Sequence, residues 1–214
     1  MGEYVTLTIQ TLQRLPYYLQ CLKRAQESGV KVISATSVAN ELKLNDVLVR
    51  KDLAAISTTQ GKPKSGFIVD ELIGNIENYL GYNNTVDTLL VGVGSLGKAL
   101  LGNREFGKYG LNIVAAFDVD DDIIGQVICG KKIFPMSRLK EICERLQIKI
   151  AIVAVPAEFA QEVADMLVNS GIRAIWNFAL IKLNLPDDVL VQNENLAASF
   201  AMLSQRMRSQ LCGQ

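Results

Sequence analysis

Six consecutive residues, Gly92-Val93-Gly94-Ser95-Leu96-Gly97, have the type and spacing to do chemistry, and Asp118 stands 21 residues beyond the last of them. This G-x-G-x-x-G run lies between a β-rich stretch, Thr88 to Val91, and a stretch of helical composition, Lys98 to Leu101. In that setting Gly92 permits a tight turn, Gly94 lets backbone approach a pyrophosphate at a helix N-terminus, and Gly97 allows helix to pack closely on strand. An acid at the end of the next strand accepts hydrogen bonds from ribose hydroxyls and repels a 2′-phosphate, so Asp118 favours NAD(H) over NADP(H). Ser95 and Leu96 in the loop and Val119 beside the acid complete the expected contact set on this side.

Catalytic chemistry is harder to place. The chain has no histidine, which removes Ser-His-Asp and Cys-His triads, histidine zinc sites and the imidazole partner of many dehydrogenases. Its cysteines, 21, 129, 143 and 212, form no Cys-x-x-Cys pair, so reduced thiols are expected and no metal site. The absent histidine weighs heavily against an enzyme. A small NAD(H)- or CoA-binding accessory protein and a dehydrogenase-like enzyme are the alternatives.

The elements that must position the loop read as a doubly wound sheet. Asn112 to Phe117 is a second buried strand, followed by helix Ser137 to Leu146, strand Lys149 to Val155, helix Ala157 to Ser170 and strand Ile172 to Trp176. Alternating strands and helices of this kind give an α/β fold with a parallel sheet. Ligands of such sheets bind beyond the carboxyl ends of the strands, which marks Val155, Pro156, Asn177, Phe178 and Ala179 as walls for the nicotinamide half.

The segment before Gly81 has another character. The formal net charge of the 214 residues is zero, yet Leu12 to Lys64 holds nine Lys/Arg against four Asp/Glu, and Ser65 to Gln214 holds 13 against 17. A basic segment ahead of an acidic remainder suits one domain that meets polyanion and one that does not. Thr8 can cap a helical run broken by Pro16 and ended by Gly29; Ser34 caps a short helix, Ala35 to Leu42; a turn at Lys43 to Asn45 leads into a third helix, Asp46 to Ile56. At ~100° per residue, Val49, Leu53 and Ile56 share an inward face, while Val47, Arg50, Lys51 and Ala54 look outward. Helix, short helix, turn and an exposed basic helix is the helix-turn-helix arrangement, whose last helix enters the major groove. Gln60 to Phe67 then reads as a basic hairpin wing that places Lys62 and Lys64 on phosphates. Asp70 to Leu80 is a further helix and Gly81 to Asp87 a linker.

The chain closes on Glu194 to Gln210, where Leu196, Phe200, Leu203 and Met207 form an apolar stripe at helical spacing. Packing of such a stripe on its own domain is the default; the sharper alternative is that it covers a partner subunit, and the resulting two-fold dimer would present two recognition helices to palindromic DNA. The expected domains are 1–81, a winged helix-turn-helix DNA-binding domain; 82–192, a Rossmann NAD(H)-binding domain; and 193–214, a dimerisation helix. The apolar stretches, Ile150 to Ala157 among them, fall far short of the ~20 residues a membrane span needs. With no secretory signal in Met1 to Gln10, a cytoplasmic location is expected.

With QRLPYYL, VRKDL, VGVGSLGKALL, AFDVD, AIVAVPAEFAQEVADMLVNSGI and WNFALIKLNLPDDV spread over nearly the whole chain, the sequence resembles the Rex family of redox-sensing transcriptional repressors. The resemblance implies a homodimer that exchanges its C-terminal helices, and palindromic operator DNA released by NADH. It also implies that Arg14 works with positions 103 and 195 to couple nicotinamide state to domain position. Here a tyrosine expected near Asn103 and an aspartate expected at Asn195 are replaced, so Arg14 is expected to lack its charge-assisted partner and the coupling to be weakened. The wing and the residues after VRKDL also depart from the family pattern, which implies a different operator preference.

Overall fold

The computed structural model describes residues 7–58 and 66–212. The chain divides into two compact units, Met1–Asn84 and Thr85–Gln214.

In the first unit, α1 (Ile9–Glu27) is capped by Thr8, whose hydroxyl accepts from the Thr11 amide. The helix runs through Pro16, contrary to the break expected there. A proline removes one hydrogen bond and crowds the preceding turn, but Leu15, Tyr18, Leu19 and Leu22 are buried on one side of the helix, and that burial holds both halves in line. Strand β1 (Val32–Ile33) leads into α2 (Ala35–Leu42), capped by Ser34, and α3 (Asp46–Ile56), capped by Asn45. Lys43 closes α2 in the left-handed conformation with φ 54°. Strand β2 (Phe67–Ile68) pairs antiparallel with β1, and α4 (Val69–Leu80) ends at Gly81. Val38, Val49, Leu53, Val69, Leu72 and Ile76 complete the apolar core begun by α1.

The second unit is a seven-stranded sheet among its described residues, ordered β5-β6-β4-β3-β7-β8-β9. Its strands are β3 (Val86–Val91), β4 (Leu111–Asp118), β5 (Val127–Ile128), β6 (Lys131–Pro135), β7 (Ile150–Val153), β8 (Ala174–Asn177) and β9 (Leu190–Asn193). All pairings are parallel except the edge hairpin β5–β6. Helices α5 (Ser95–Gly102), α6 (Leu139–Leu146) and α7 (Ala157–Asn169) cover the sheet, and α8 (Leu196–Cys212) closes the chain.

The two-residue alternation of a strand is visible in the core. Leu89, Val91, Ala115, Phe117 and Val153 belong to one apolar layer with α6 and α7 residues; Leu90, Ala116, Ile133 and Ile152 belong to another with Leu101 of α5. Burial on both faces is why these strands read as continuous apolar runs. Neither the β5–β6 hairpin nor β9 is anticipated by the sequence reading. Both are short elements at the edges of the sheet and lack the buried alternation of a longer strand.

Candidate functional site

Strand order reverses beside β3, which has β4 on one side and β7 on the other. A crevice opens at such a switch point, beyond the strand ends, and the glycine loop begins there. Gly92 has φ +94°, and a Cβ on it would stand 2.6 Å from the Ala154 carbonyl oxygen. Gly97 is tighter still, because a Cβ there would meet the Gly92 oxygen at 1.9 Å. Gly94 differs from both: a Cβ there would meet no atom within 4 Å. The protein's own packing requires Gly92 and Gly97, whereas Gly94 leaves open the approach to the α5 N-terminus, whose cap lacks a side-chain hydrogen bond. Unpaired N–H groups and the helix dipole there suit an anion such as pyrophosphate.

Asp118 is fixed to this loop. Its Oδ2 accepts from the Val93 amide at 2.6 Å, and its Oδ1 accepts from the amides of Val119 at 2.7 Å and Asp120 at 3.1 Å. A carboxylate offers about four acceptor positions, so these three bonds orient the group and leave room on Oδ2 for one more donor. Ser95 and Leu96 are exposed at the helix start, and the Val119 side chain is exposed beside the acid.

The opposite wall departs from expectation. Val155 is half-buried and Pro156 exposed, but Asn177 is fully buried and takes no part in a surface. Its side-chain nitrogen donates to the carbonyls of Ala179 and Ile181 and to Asn193 Oδ1, and its Oδ1 accepts from the Ala179 amide. Asn177 therefore staples the end of β8 to the following loop and to β9, with Ala179 buried beneath. Phe178 alone of the three remains half-exposed, its ring centroid 4.8 Å from that of Trp176.

In the first unit the outward face of α3 is as expected: Val47, Arg50, Lys51 and Ala54 are exposed, while Val49, Leu53 and Ile56 are buried. Arg50 donates to Asp46 Oδ2 at 2.8 Å, and Thr36 donates to Asp46 Oδ1 at 2.7 Å, so a short chain of bonds steadies the guanidinium. Lys62 and Lys64 lie outside the described residues.

The three residues assigned to coupling are each engaged locally. Asn103 Oδ1 accepts from the Glu105 amide, and Asn195 Oδ1 from the Ala198 amide at the start of α8. Although position 195 offers no carboxylate, Arg14 is paired with one in its own unit. Its Nε donates to Asp52 Oδ2 at 2.8 Å and its Nη2 to Asp52 Oδ1 at 3.1 Å. The sequence reading missed Asp52 because acids usually lie on the wet side of a helix. The available signal was its phase: it lies among Val49, Leu53 and Ile56 on the inward face of α3.

Cys21 and Cys143 are buried, and burial pushes their thiols up to about 12 and about 11, so both remain protonated; Cys129 is exposed. Among the described residues there is no group of metal-ligating side chains, and no helix is long and apolar enough to cross a membrane.

Comparisons with known proteins agree with this two-part reading. The family model described as "CoA binding domain" matches residues 83–181, and that described as "Putative DNA-binding protein N-terminus" matches residues 8–54. The chain is 43% identical over 199 residues to the redox-sensing transcriptional repressor Rex of Treponema denticola, covering 93% of this chain and 94% of that one. It is 36% identical to the Rex repressor of Bacteroides fragilis, covering 92% and 89%. A solved structure of RSP, a Rex-family repressor, in complex with β-NAD+ and operator DNA superposes with TM-score 0.90 at 31% identity, covering 97% of this chain and 95% of that one. RSP in complex with β-NADH superposes with TM-score 0.84, covering 96% of each chain.

Proposed function

Since the chain belongs to the Rex family of redox-sensing transcriptional repressors, we propose that it is a DNA-binding repressor that binds NAD(H) and releases palindromic operator DNA when NADH accumulates. The observation that carries the dinucleotide half is the contrast between Gly92 and Gly97, which the fold itself demands, and Gly94, which it does not. A glycine kept where the protein has space suits a ligand that needs it.

Backbone N–H groups of Gly94, Ser95 and Leu96 would hold the pyrophosphate, and Asp118 an adenosine ribose hydroxyl. Val119, Val155, Pro156 and Phe178 would flank the cofactor, with Asn177 and Ala179 shaping the wall from beneath. Bound NAD(H) supplies a redox state to be read and no chemistry to be done, consistent with a chain free of histidine. Dialysis against NADH, NADPH and CoA tests this half: NADH should bind, and NADPH and CoA at least tenfold more weakly. Equal uptake of CoA favours the accessory-protein alternative. Asp118→Asn should narrow the NADH preference over NADPH, since it removes the charge that repels a 2′-phosphate.

On the DNA side, Val47, Arg50, Lys51 and Ala54 would face the major groove, and Lys62 and Lys64 the phosphates. Arg50 suits bidentate contact with guanine. Arg50→Ala should cost about 1–3 kcal/mol on selected DNA and relax preference at one position. Lys62→Ala should weaken all sequences alike and flatten the salt dependence. Equal losses for Arg50→Ala on selected and random duplexes would remove that assignment.

We assign the first unit to DNA, the second to the dinucleotide and α8 to the dimer. Leu196, Phe200, Leu203 and Met207 are all more than half exposed in the single chain, an apolar stripe that a second copy would cover by helix exchange. Arg14 is engaged by Asp52, and positions 103 and 195 carry neutral asparagines, so the response to NADH should be shallower than a full switch.

A further inference from the structure

We propose that Asp52 is the positioning residue of the recognition helix, setting the angle at which α3 presents Arg50 and its neighbours to DNA; this rests on the DNA-reading function proposed above. Three polar side chains of α1, spaced at Thr11, Arg14 and Tyr18, converge on this one carboxylate of α3. Thr11 Oγ1 donates to Oδ1 at 3.1 Å, Arg14 donates through Nε and Nη2 at 2.8 and 3.1 Å, and the Tyr18 hydroxyl donates to Oδ2 at 2.7 Å. These four bonds fill the acceptor capacity of a carboxylate, and the arginine contact has the two-pronged form that fixes orientation as well as distance. Asp52 is 5% exposed and Tyr18 fully buried.

Apolar packing between the helices is already supplied by Leu15, Leu22, Val49 and Leu53, all fully buried. Apolar contacts alone tolerate small rotations and slides, and a buried ion pair is weak evidence for added stability. What the polar cluster adds is direction. At ~100° per residue, Val47, Arg50 and Ala54 fall roughly opposite Asp52 around α3, so the angle at which α1 grips Asp52 is the angle at which those side chains face outward.

The test measures the ratio of affinities for a duplex selected from a random pool by the parent chain and for a random duplex of equal length. The variant Arg14→Met/Tyr18→Phe/Asp52→Leu replaces the cluster with apolar groups, while Thr11 keeps its hydroxyl contact with Thr8 at 3.0 Å. With its fold verified by circular dichroism, its melting measured and no dinucleotide present, it is expected to lose about tenfold or more of the ratio, as a displaced base contact would. Tyr18→Phe, which removes one bond and keeps the ring, provides a milder variant whose ratio should fall by less. An unchanged ratio in either folded variant, whatever the shift in melting, overturns the assignment and leaves the cluster a stability element. If the parent itself selects no sequence, the DNA-reading function fails, and the positioning role with it.

Discussion

Gly94→Ala is expected to melt as the parent chain does and to lose dinucleotide binding by tenfold or more, whereas Gly97→Ala is expected to lose both. The two substitutions add the same methyl group three residues apart in one loop. At Gly97 the methyl carbon would sit 1.9 Å from the Gly92 carbonyl oxygen and 2.9 Å from its carbon, both backbone atoms of the first turn. Neither can move without displacing β3 from α5, so the second unit should lose about 3 kcal/mol, the upper part of the usual range for overpacking. At Gly94 the methyl group meets nothing within 4 Å, and the backbone, with φ −67° and ψ −163°, is extended and not left-handed, so no positive φ demands a glycine there. Its cost appears only when a pyrophosphate approaches. Thermal melting together with energy transfer from Trp176, the chain's one tryptophan, to bound NADH separates the two. Unchanged NADH affinity in Gly94→Ala would mean that the loop is merely a tight connection.

Asp52→Ala should be among the most destabilising substitutions in the first unit. It strands the Arg14 guanidinium, whose side chain is 20% exposed, and the fully buried Tyr18 hydroxyl. Removing one member of a buried pair costs about 3–5 kcal/mol; with Arg14 partly wetted, about 3 is expected, a fall in melting of roughly 10 °C or more for a unit of this size. The same cluster makes stability depend on pH at both ends of the range. Burial by itself would raise the Asp52 carboxyl, but hydrogen bonds from Arg14 and Tyr18, the Arg14 charge and the Thr11 bond outweigh it and hold the group below its ordinary 3.8. Its contribution is complete above pH 3.8 and lost as pH falls through the depressed value. Tyr18 is pushed from 10.0 up to about 12, first by burial and then by its bond to Asp52. Its contribution is complete below pH 10 and lost as pH rises through about 12. In Tyr18→Phe the alkaline loss should shrink while the acid loss persists, as melting across pH will show.

Much of this was legible in the sequence where a residue type answers a local backbone need. Thr8, Ser34 and Asn45 are short polar caps, and α2 and α3 begin where those caps place them. The glycine loop was legible for the same reason, since Gly92 and Gly97 record close approaches that no other residue permits. What escaped was set by distant partners. Pro16 reads locally as a break, and only the packing of α1 overrides it. Asn177 reads as a polar residue at a strand end, and only the strand that pairs beside it, β9, turns it inward. Asp52 reads as one more charge in VRKDL, and only the α1 residues 34 to 41 positions earlier give it a purpose.

The most direct measurement is fluorescence anisotropy of a selected palindromic duplex, titrated with NADH and with NAD separately at fixed salt. NADH is predicted to weaken DNA binding about fivefold or more, within the usual range of coupling between sites, and NAD to leave it intact. A palindrome bound with the same affinity in the presence of either dinucleotide would contradict the account, leaving a DNA-binding protein whose second unit does not report redox state.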